Sequence, residues 1–579
     1  MRFRWPEGTR FQQMTLDVEQ DTCSSCSRPL HVCAHRRHRI FTLREPLELL
    51  CRLAHCSDPA CPARRHTLSP ASELTHALPG WLIGWDVFCF IGHRRFARHW
   101  SVPQIRAELL DTYRIKLSPD AISLYLRRYQ TMVAAHQQDP DRLAKAYQSI
   151  GFVVLSIDGL QPEKGHETLY AVRELNGKRI WFAEALLSSN TDEVRRLLVR
   201  AREIAARLRK PVRLWLSDMQ DAFVKGIALE FSGVPHRYCD NHFLRYLAKP
   251  TLEADSQAKV KMRKKVRGLR DIERAVLEKR SQQNAEVMTS QEVKHAAGGT
   301  LASGHKAEKP QRATAAKELQ ADHKAVGAKA SDTAGTKKVD LAGDVVLGYC
   351  AAVRGILNDD QGGPLHPPGL RMAEALAEVR ASLGRNLRLN KPGPAHGQFE
   401  RLAGCIDRGL AEVEAQQQQL QEQVKAIREV AATLEENAGT MAKRRVKYHQ
   451  LRRQYEKKGG VFYKHLSQVM QSWVKGLFVP VRTKKGEKLP SDNLDLERWF
   501  RKPKGHERRI HGHKHAGVRI VQEGATLLLT LDAHEEFAVP FTAEELLPYR
   551  HAEMPLDQQE TLQRRKIMRK ARSKKNDQS

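Results

Sequence analysis

GFVVLSIDGL, residues 151–160, decides the fold. Its apolar residues run almost unbroken into Asp158, which predicts a strand covered on both faces. LYAVREL (169–175) and RIWFAEALL (179–187) flank Asn176-Gly177, a pair that favours tight hairpin turns. TDEVRRLLVRAREIAARL (191–208) then reads as a helix, with Thr191 or Asp192 as its cap. VRLWLSD (212–218) predicts a second buried strand ending in Asp218. The order is therefore strand, hairpin, helix, strand, an α/β pattern. It sets one acid at the exit of the first strand and another at the exit of the fourth. A lone Asp after a strand is ordinarily a turn or cap residue, but two at corresponding strand ends point to shared chemistry.

Two further segments bear on those acids. VPHRYCDNHFLR (234–245) reads as a short strand followed by Cys239, Asp240 and His242. SDNLDLERWFRKPKGHERRIHGHKHAG (491–517) reads as a helix carrying Glu497 among Arg498, Arg501, Lys504, Arg508, Arg509 and Lys514. Glu497 is the candidate third acid and Asp240 its rival.

Asp158, Asp218 and a helical Glu in an SDN…LE-x-x-F-R…RR string resemble the DDE-type transposases of bacterial insertion sequences. The resemblance covers roughly 150–245 and 488–530. It implies an RNase H-like mixed sheet interrupted by a long α-helical insertion. It also implies that Asp158, Asp218 and Glu497 are catalytic and hold two Mg²⁺ (or Mn²⁺) ions for DNA cleavage and strand transfer. Cys239 and His242 resemble the C/D-x-x-H motif that precedes the insertion in several of these families, and are possible accessory residues. The implied partners are double-stranded DNA, as element ends and target, and further copies of the chain in a homodimer or larger synaptic complex. The implied location is the bacterial cytoplasm, on the nucleoid. The arginines and lysines of 498–514 would neutralise phosphates or, alternatively, are solvated surface charges. Competing functions are a non-catalytic, domesticated DNA-binding protein and an RNase H-fold nuclease on RNA or structured DNA. The spacing departs from the family pattern, since 279 residues separate Asp218 from Glu497.

The N-terminal part supplies a second constellation. Six of the ten cysteines fall between Cys23 and Cys61. Cys23-x2-Cys26 and Cys56-x4-Cys61 are joined by a predicted hairpin around Glu45-Pro46, a zinc-ribbon-like arrangement over 1–75. Four thiolates give Zn²⁺ a closed, structural shell. Cys33, His35, His38, Cys51, His55 and His66 remain spare ligands. Residues 80–135 predict two helices, one starting near Ser101 and one capped by Ser118 and carrying Arg127 and Arg128, as in a helix-turn-helix. The alternative is a helical hairpin with a solvated face.

The rest of the chain is helical or low in complexity. Residues 246–487 read as the insertion, with a linker at 281–344 poor in large apolar residues. Within it, Phe399, Leu402, Ile406, Leu410, Val413, Leu420, Val424, Ile427 and Leu434 form a heptad seam, predicting a coiled-coil-like helix over 397–436 that pairs inside the chain or with a second copy. The core resumes over 488–535, and 536–579 reads as a basic tail.

Composition sets the outer limits. The 579 residues carry 97 Lys+Arg against 67 Asp+Glu, a net charge of +30. That balance favours a polyanionic partner. Hydrophobic content of 41% rules out wholesale disorder. No continuous apolar run of about 20 residues predicts a membrane span, and the first residues lack the apolar stretch of a secretory signal.

Overall fold

The computed structural model describes residues 5, 7–161, 167–296, 341–389, 393, 395–480, 489–490, 492–512, 516–536 and 539–576. The chain divides into two compact units. The first comprises residues 1–243, 434–458 and 464–579, and the second 244–433 and 459–463. The architecture is mixed α/β, with two mixed sheets, both in the first unit.

The smaller sheet is N-terminal. β2 (Leu30–Ile40) and β3 (Leu47–Cys56) form the expected antiparallel hairpin. β1 (Gln12–Leu16) adds to β3 in parallel, a strand with no sequence forecast. Its core is small: Leu16, Ile40, Leu49, Cys51 and Ala77.

The larger sheet follows the order read from the sequence. β4 (Val153–Leu160), β5 (Thr168–Glu174) and β6 (Arg179–Leu186) form an antiparallel meander. β7 (Val212–Ser217) and β8 (His236–Tyr238) lie parallel to β4 on its other side, giving the order β6-β5-β4-β7-β8. Both faces are covered, which is why the strands are near-continuously apolar. Val153, Leu155 and Ile157 pack with Val194, Leu197 and Leu198 of the Thr191–Arg207 helix and with Phe223 and Ile227 of the Asp221–Glu230 helix. Asn190, rather than Thr191 or Asp192, caps the 191–207 helix by accepting the Glu193 N–H at 2.9 Å. Elsewhere on the sheet, Leu160, Leu169, Ala171 and Ala183 join a core with Leu496, Trp499 and the Gly517–Glu536 helix.

One buried ion network ties these layers together. Arg173 on β5 donates to Asp495 Oδ2 at 2.6 Å and to Asp532 Oδ1 at 3.0 Å. Asp532 Oδ2 also accepts the Ile180 N–H at 2.8 Å. Arg173 and Asp532 are buried, so removing one partner strands a charge. Arg173→Leu is expected to cost about 3–5 kcal/mol of unfolding free energy. Urea denaturation checks this, and a midpoint equal to wild type would refute it.

Several expectations need correction. The two predicted helices near 101 and 118 are present as Val102–Asp111 and Pro119–Gln137, with Ser118 Oγ accepting the Ala121 N–H at 3.1 Å. The second is mainly a core helix, however: Tyr125, Leu126, Tyr129, Met132 and Val133 are buried. The coiled-coil-like helix over 397–436 is broken into His396–Ala411 and Glu414–Ala432 at Glu412-Val413. Its seam residues Phe399, Leu402, Ile406, Val413, Leu420 and Val424 pack inside the second unit on the helices around Met262, Val276, Val353 and Leu376. The expected linker begins later than 281, because the Leu269–Ala296 helix runs through that point and Leu341–Asn358 starts before 344. Its span 297–340 lies outside the described residues. The C-terminal region is no plain tail: Leu556–Asn576 is a helix with Gln558, Thr561 and Arg565 buried, and Arg565 pairs with Glu167. That stripe is polar, so hydrophobic periodicity missed it. One helix among the described residues, Leu341–Asn358, is long and apolar enough by length and composition to cross a membrane. Its Val346, Cys350 and Val353 are packed in the core of the second unit.

Candidate functional site

The cysteine cluster forms at the end of the β2–β3 hairpin. The Sγ atoms of Cys23, Cys26, Cys56 and Cys61 lie within 4.8 Å of one another. Cys23 and Cys61 are 3.9 Å apart, and Cys26 and Cys56 3.3 Å. A tetrahedral shell with Zn–S bonds of about 2.3 Å sets its sulfurs about 3.8 Å apart. The four residues therefore fit a closed, structural metal site such as Zn²⁺. Hydrogen bonds from the Ser25 and Cys26 N–H groups bring the Cys23 thiol down to about 7, whereas burial pushes Cys56 up to about 12 and raises Cys61, so the thiols of the metal-free cluster do not all favour the thiolate. The spare candidates lie outside this cluster. Cys33 is exposed and donates to the Leu53 carbonyl, Cys51 is in the small sheet core, and His38 is engaged by Glu73 and by the Trp81 carbonyl. His35, His55 and His66 belong to no ligand cluster among the described residues.

The carboxylate site is built from four separate stretches of the first unit. Asp158 is on β4, and its Oδ1 accepts the Gly159 N–H at 2.8 Å. Asp218 directly follows β7, the parallel neighbour of β4. Glu497 sits on the short Leu494–Trp499 helix. Asn493 anchors the start of that helix: it is fully buried, hydrogen-bonds Ser156 on β4 through its side chain, and donates its N–H to Cys239 Sγ at 3.2 Å. Leu496, Trp499 and Phe500 then bury the helix against the core.

These acids sense one another. Burial pushes the Asp158 carboxyl up to about 7; the Gly159 N–H opposes the rise, the Asp218 and Glu497 carboxylates add to it, and the Lys504 ammonium draws it back. Burial also raises Asp218, against the pull of the Gln220 N–H and of His242. The charges of Asp218 and Glu497 reach Asp158, but among the described residues the oxygens of the three acids are not drawn together into a ligand cluster.

The Asp240–Leu247 helix closes the site with two residues. Asn241 Nδ2 donates to both oxygens of Glu497, at 3.1 and 3.0 Å. His242 Nδ1 lies 3.4 Å from Glu497 Oε1. Asp240, the rival third acid, is spent elsewhere: Arg237 holds both its oxygens, at 3.1 and 2.8 Å, and donates onward to the Leu477 and Val479 carbonyls. Burial pushes Asp240 up to about 6 despite Arg237. Asn241, Asn493 and Ser156 were missed by sequence reasoning. Asn241 lay inside a motif already quoted, but no local signal marks an amide that clamps a residue 256 positions away.

The basic residues divide. Arg127, Arg498, Arg501, Arg508 and Arg509 are exposed, and Lys504 is half-buried. Arg501, Lys504 and Arg508 share one face of the Arg501–His511 helix at 3- and 4-residue steps. Arg501 and Arg509, with Phe96, His99 and His506, line a cavity of about 410 Å³. Arg128 does not fit a phosphate contact, because its guanidinium is occupied by the carbonyls of Ala552, at 2.5 Å, and Arg550. Lys514 lies outside the described residues.

The chain matches no protein-family model and no curated protein.

Proposed function

We propose that the protein is a DDE-type transposase that binds the ends of a mobile DNA element and carries out metal-dependent strand cleavage and transfer. The observation that carries this reading is the grouping of Asp158, Asp218 and Glu497 around adjacent parallel strands, with Lys504 beside them. The strand order β6-β5-β4-β7-β8, with a single antiparallel meander on one side, supports an RNase H-like core. The helical segment between Asp218 and Glu497 supports the reading of an insertion.

In this reading Asp158, Asp218 and Glu497 would hold the metal ions. Two Mg²⁺ or Mn²⁺ ions, when bound, supply Lewis-acid activation of the attacking oxygen and stabilise the leaving oxygen. Asn241 keeps the Glu497 carboxylate oriented. Arg498, Arg501 and Arg508 neutralise phosphates of a DNA strand led to the site, and no covalent protein intermediate is required. The net charge of +30 supports a DNA partner. Copies of the chain acting together would hold two ends at once.

The test is Mg²⁺- or Mn²⁺-dependent cleavage and joining on element-end duplexes, with RNA/DNA hybrids in parallel and Asp218→Asn and Glu497→Gln beside wild type. Metal-dependent products from duplex ends, lost in both variants, are the expected result. Products from hybrids alone would replace the reading with a nuclease, and end binding without products under either metal would replace it with a DNA-binding protein. Salt titrations add a second prediction. The triple change Arg498→Gln, Arg501→Gln, Arg508→Gln is expected to flatten the slope of log K against log salt by about 2–3, at roughly 0.9 per phosphate contact. An unchanged slope would remove these residues from the interface.

A further inference from the structure

Cys239, His242 and Glu497 bring a sulfur, an imidazole nitrogen and a carboxylate oxygen within 4.8 Å of one another, all in the first unit. Cys239 immediately precedes the 240–247 helix and His242 is three residues on, so both face the same side of its first turn. Cys239 is fully buried, and its sulfur accepts the Asn493 N–H. His242 Nδ1 is shielded from solvent and makes no hydrogen bond. Its 3.4 Å separation from Glu497 Oε1 is long for an N–H···O contact. It does match the nitrogen–oxygen edge of a tetrahedral zinc shell, about 3.3–3.4 Å for bonds of roughly 2.0–2.1 Å. Asn241 donates to both oxygens of Glu497, a contact that orients the carboxylate.

We propose that Cys239, His242 and Glu497 form a second zinc site, distinct from the four-cysteine cluster, with an open fourth position, and that Zn²⁺ bound there withholds Glu497 from hard cations. The donor chemistry selects the metal. Thiolate and imidazole favour Zn²⁺ and disfavour Mg²⁺, whereas Asp158 and Asp218 offer only hard oxygen. On binding, the Cys239 S–H gives its proton to solvent as the S–Zn bond forms, with no change of oxidation state. Three protein ligands leave this zinc more labile than one in a closed shell of four thiolates. The acid cluster would then be gated by zinc: Glu497 cannot serve both sites. That competition rests on the proposed transposase function; the existence of the site does not.

The experiment is a metal count on the full chain, equilibrated with Zn²⁺, desalted and measured by atomic emission. Wild type is expected to hold two zinc ions per chain, Cys239→Ser one, and the paired change Cys23→Ser, Cys26→Ser one. Co²⁺ substitution in the Cys23→Ser, Cys26→Ser chain isolates the new site. Tetrahedral d–d bands with a single-thiolate charge-transfer band are expected, and both should vanish when His242→Ala or Cys239→Ser is added. One zinc in wild type, or two retained in Cys239→Ser, overturns the site. On DNA ends with saturating Mg²⁺, added Zn²⁺ is expected to inhibit wild type and to inhibit Cys239→Ser much less, each compared with its own zinc-free rate. Equal inhibition of both overturns the competition. Two zinc ions in wild type, with no cleavage by Cys239→Ser either under saturating Mg²⁺ and without added Zn²⁺, would sink the transposase reading and leave the site standing.

Discussion

Asp158→Asn is expected to lower metal-dependent DNA cleavage about a thousandfold or more while leaving DNA binding in place. Metal activation at the scissile phosphate is worth several kcal/mol, and about 4 kcal/mol corresponds to three decades in rate. Asp158 is the carboxylate on which the like charges of Asp218 and Glu497 act together. Asn keeps the shape and keeps an oxygen for the Gly159 N–H, so the backbone has no reason to move. The same substitution should raise the unfolding temperature of the metal-free chain. The Asp158 carboxyl is pushed up to about 7, above its ordinary value of about 3.9. A raised carboxylate costs stability as pH rises through that window, and the cost is fully present above 7. The variant is free of that cost. Calorimetry at pH 7.5 in chelator, beside single-turnover cleavage, reads both. A variant that unfolds earlier than wild type would turn the lost activity into a folding defect, and a variant that still cleaves would remove Asp158 from the site.

Cys56→Ser, or removal of metal by a strong chelator, is expected to unfold the N-terminal hairpin while the larger sheet persists. Structural zinc in small modules contributes on the order of 10–16 kcal/mol of apparent binding free energy at neutral pH. The apolar core of the small sheet is five buried residues, too little to hold an 11-residue and a 10-residue strand by itself. Cys56 pairs with Leu30 at the open end of the hairpin, so loss should begin there. Hydrogen exchange is the measurement: amides of 30–40 and 47–61 lose protection, and those of 153–160 and 212–217 do not. Unchanged protection in the N-terminal strands would show that the thiols pack without a metal.

The strands of the larger sheet were legible because buried parallel strands are nearly continuous apolar runs, as at Val153–Ile157, broken only by Ser156, and Leu214–Leu216. The Asn176-Gly177 turn was legible because only a few residue pairs accept its backbone. The four cysteines were legible because a tetrahedral shell imposes short spacings within each knuckle. Other features depend on partners hundreds of residues away. Arg128 reads as a surface cation until the carbonyls of Arg550 and Ala552 arrive. The Phe399–Leu434 seam reads as one long helix, yet the chain breaks at Glu412-Val413, and its apolar residues meet helices of the second unit rather than a single partner helix. The C-terminal helix buries Gln558, Thr561 and Arg565, a stripe that no hydrophobic periodicity marks.

Local chemistry in the sequence determined the strands of the core, the two aspartates at their ends and the cysteine knuckles, because each depends on residues close together in the chain. Tertiary structure decided which distant acid has its charge felt at Asp158. Asn493 and Asn241 bring Glu497 in across a gap of 279 residues from Asp218, while Arg237 takes Asp240 away. The physical reason is the range of the interactions: propensity and periodicity act within a few residues, whereas a buried carboxylate is settled by whichever donor the packed chain sets against it.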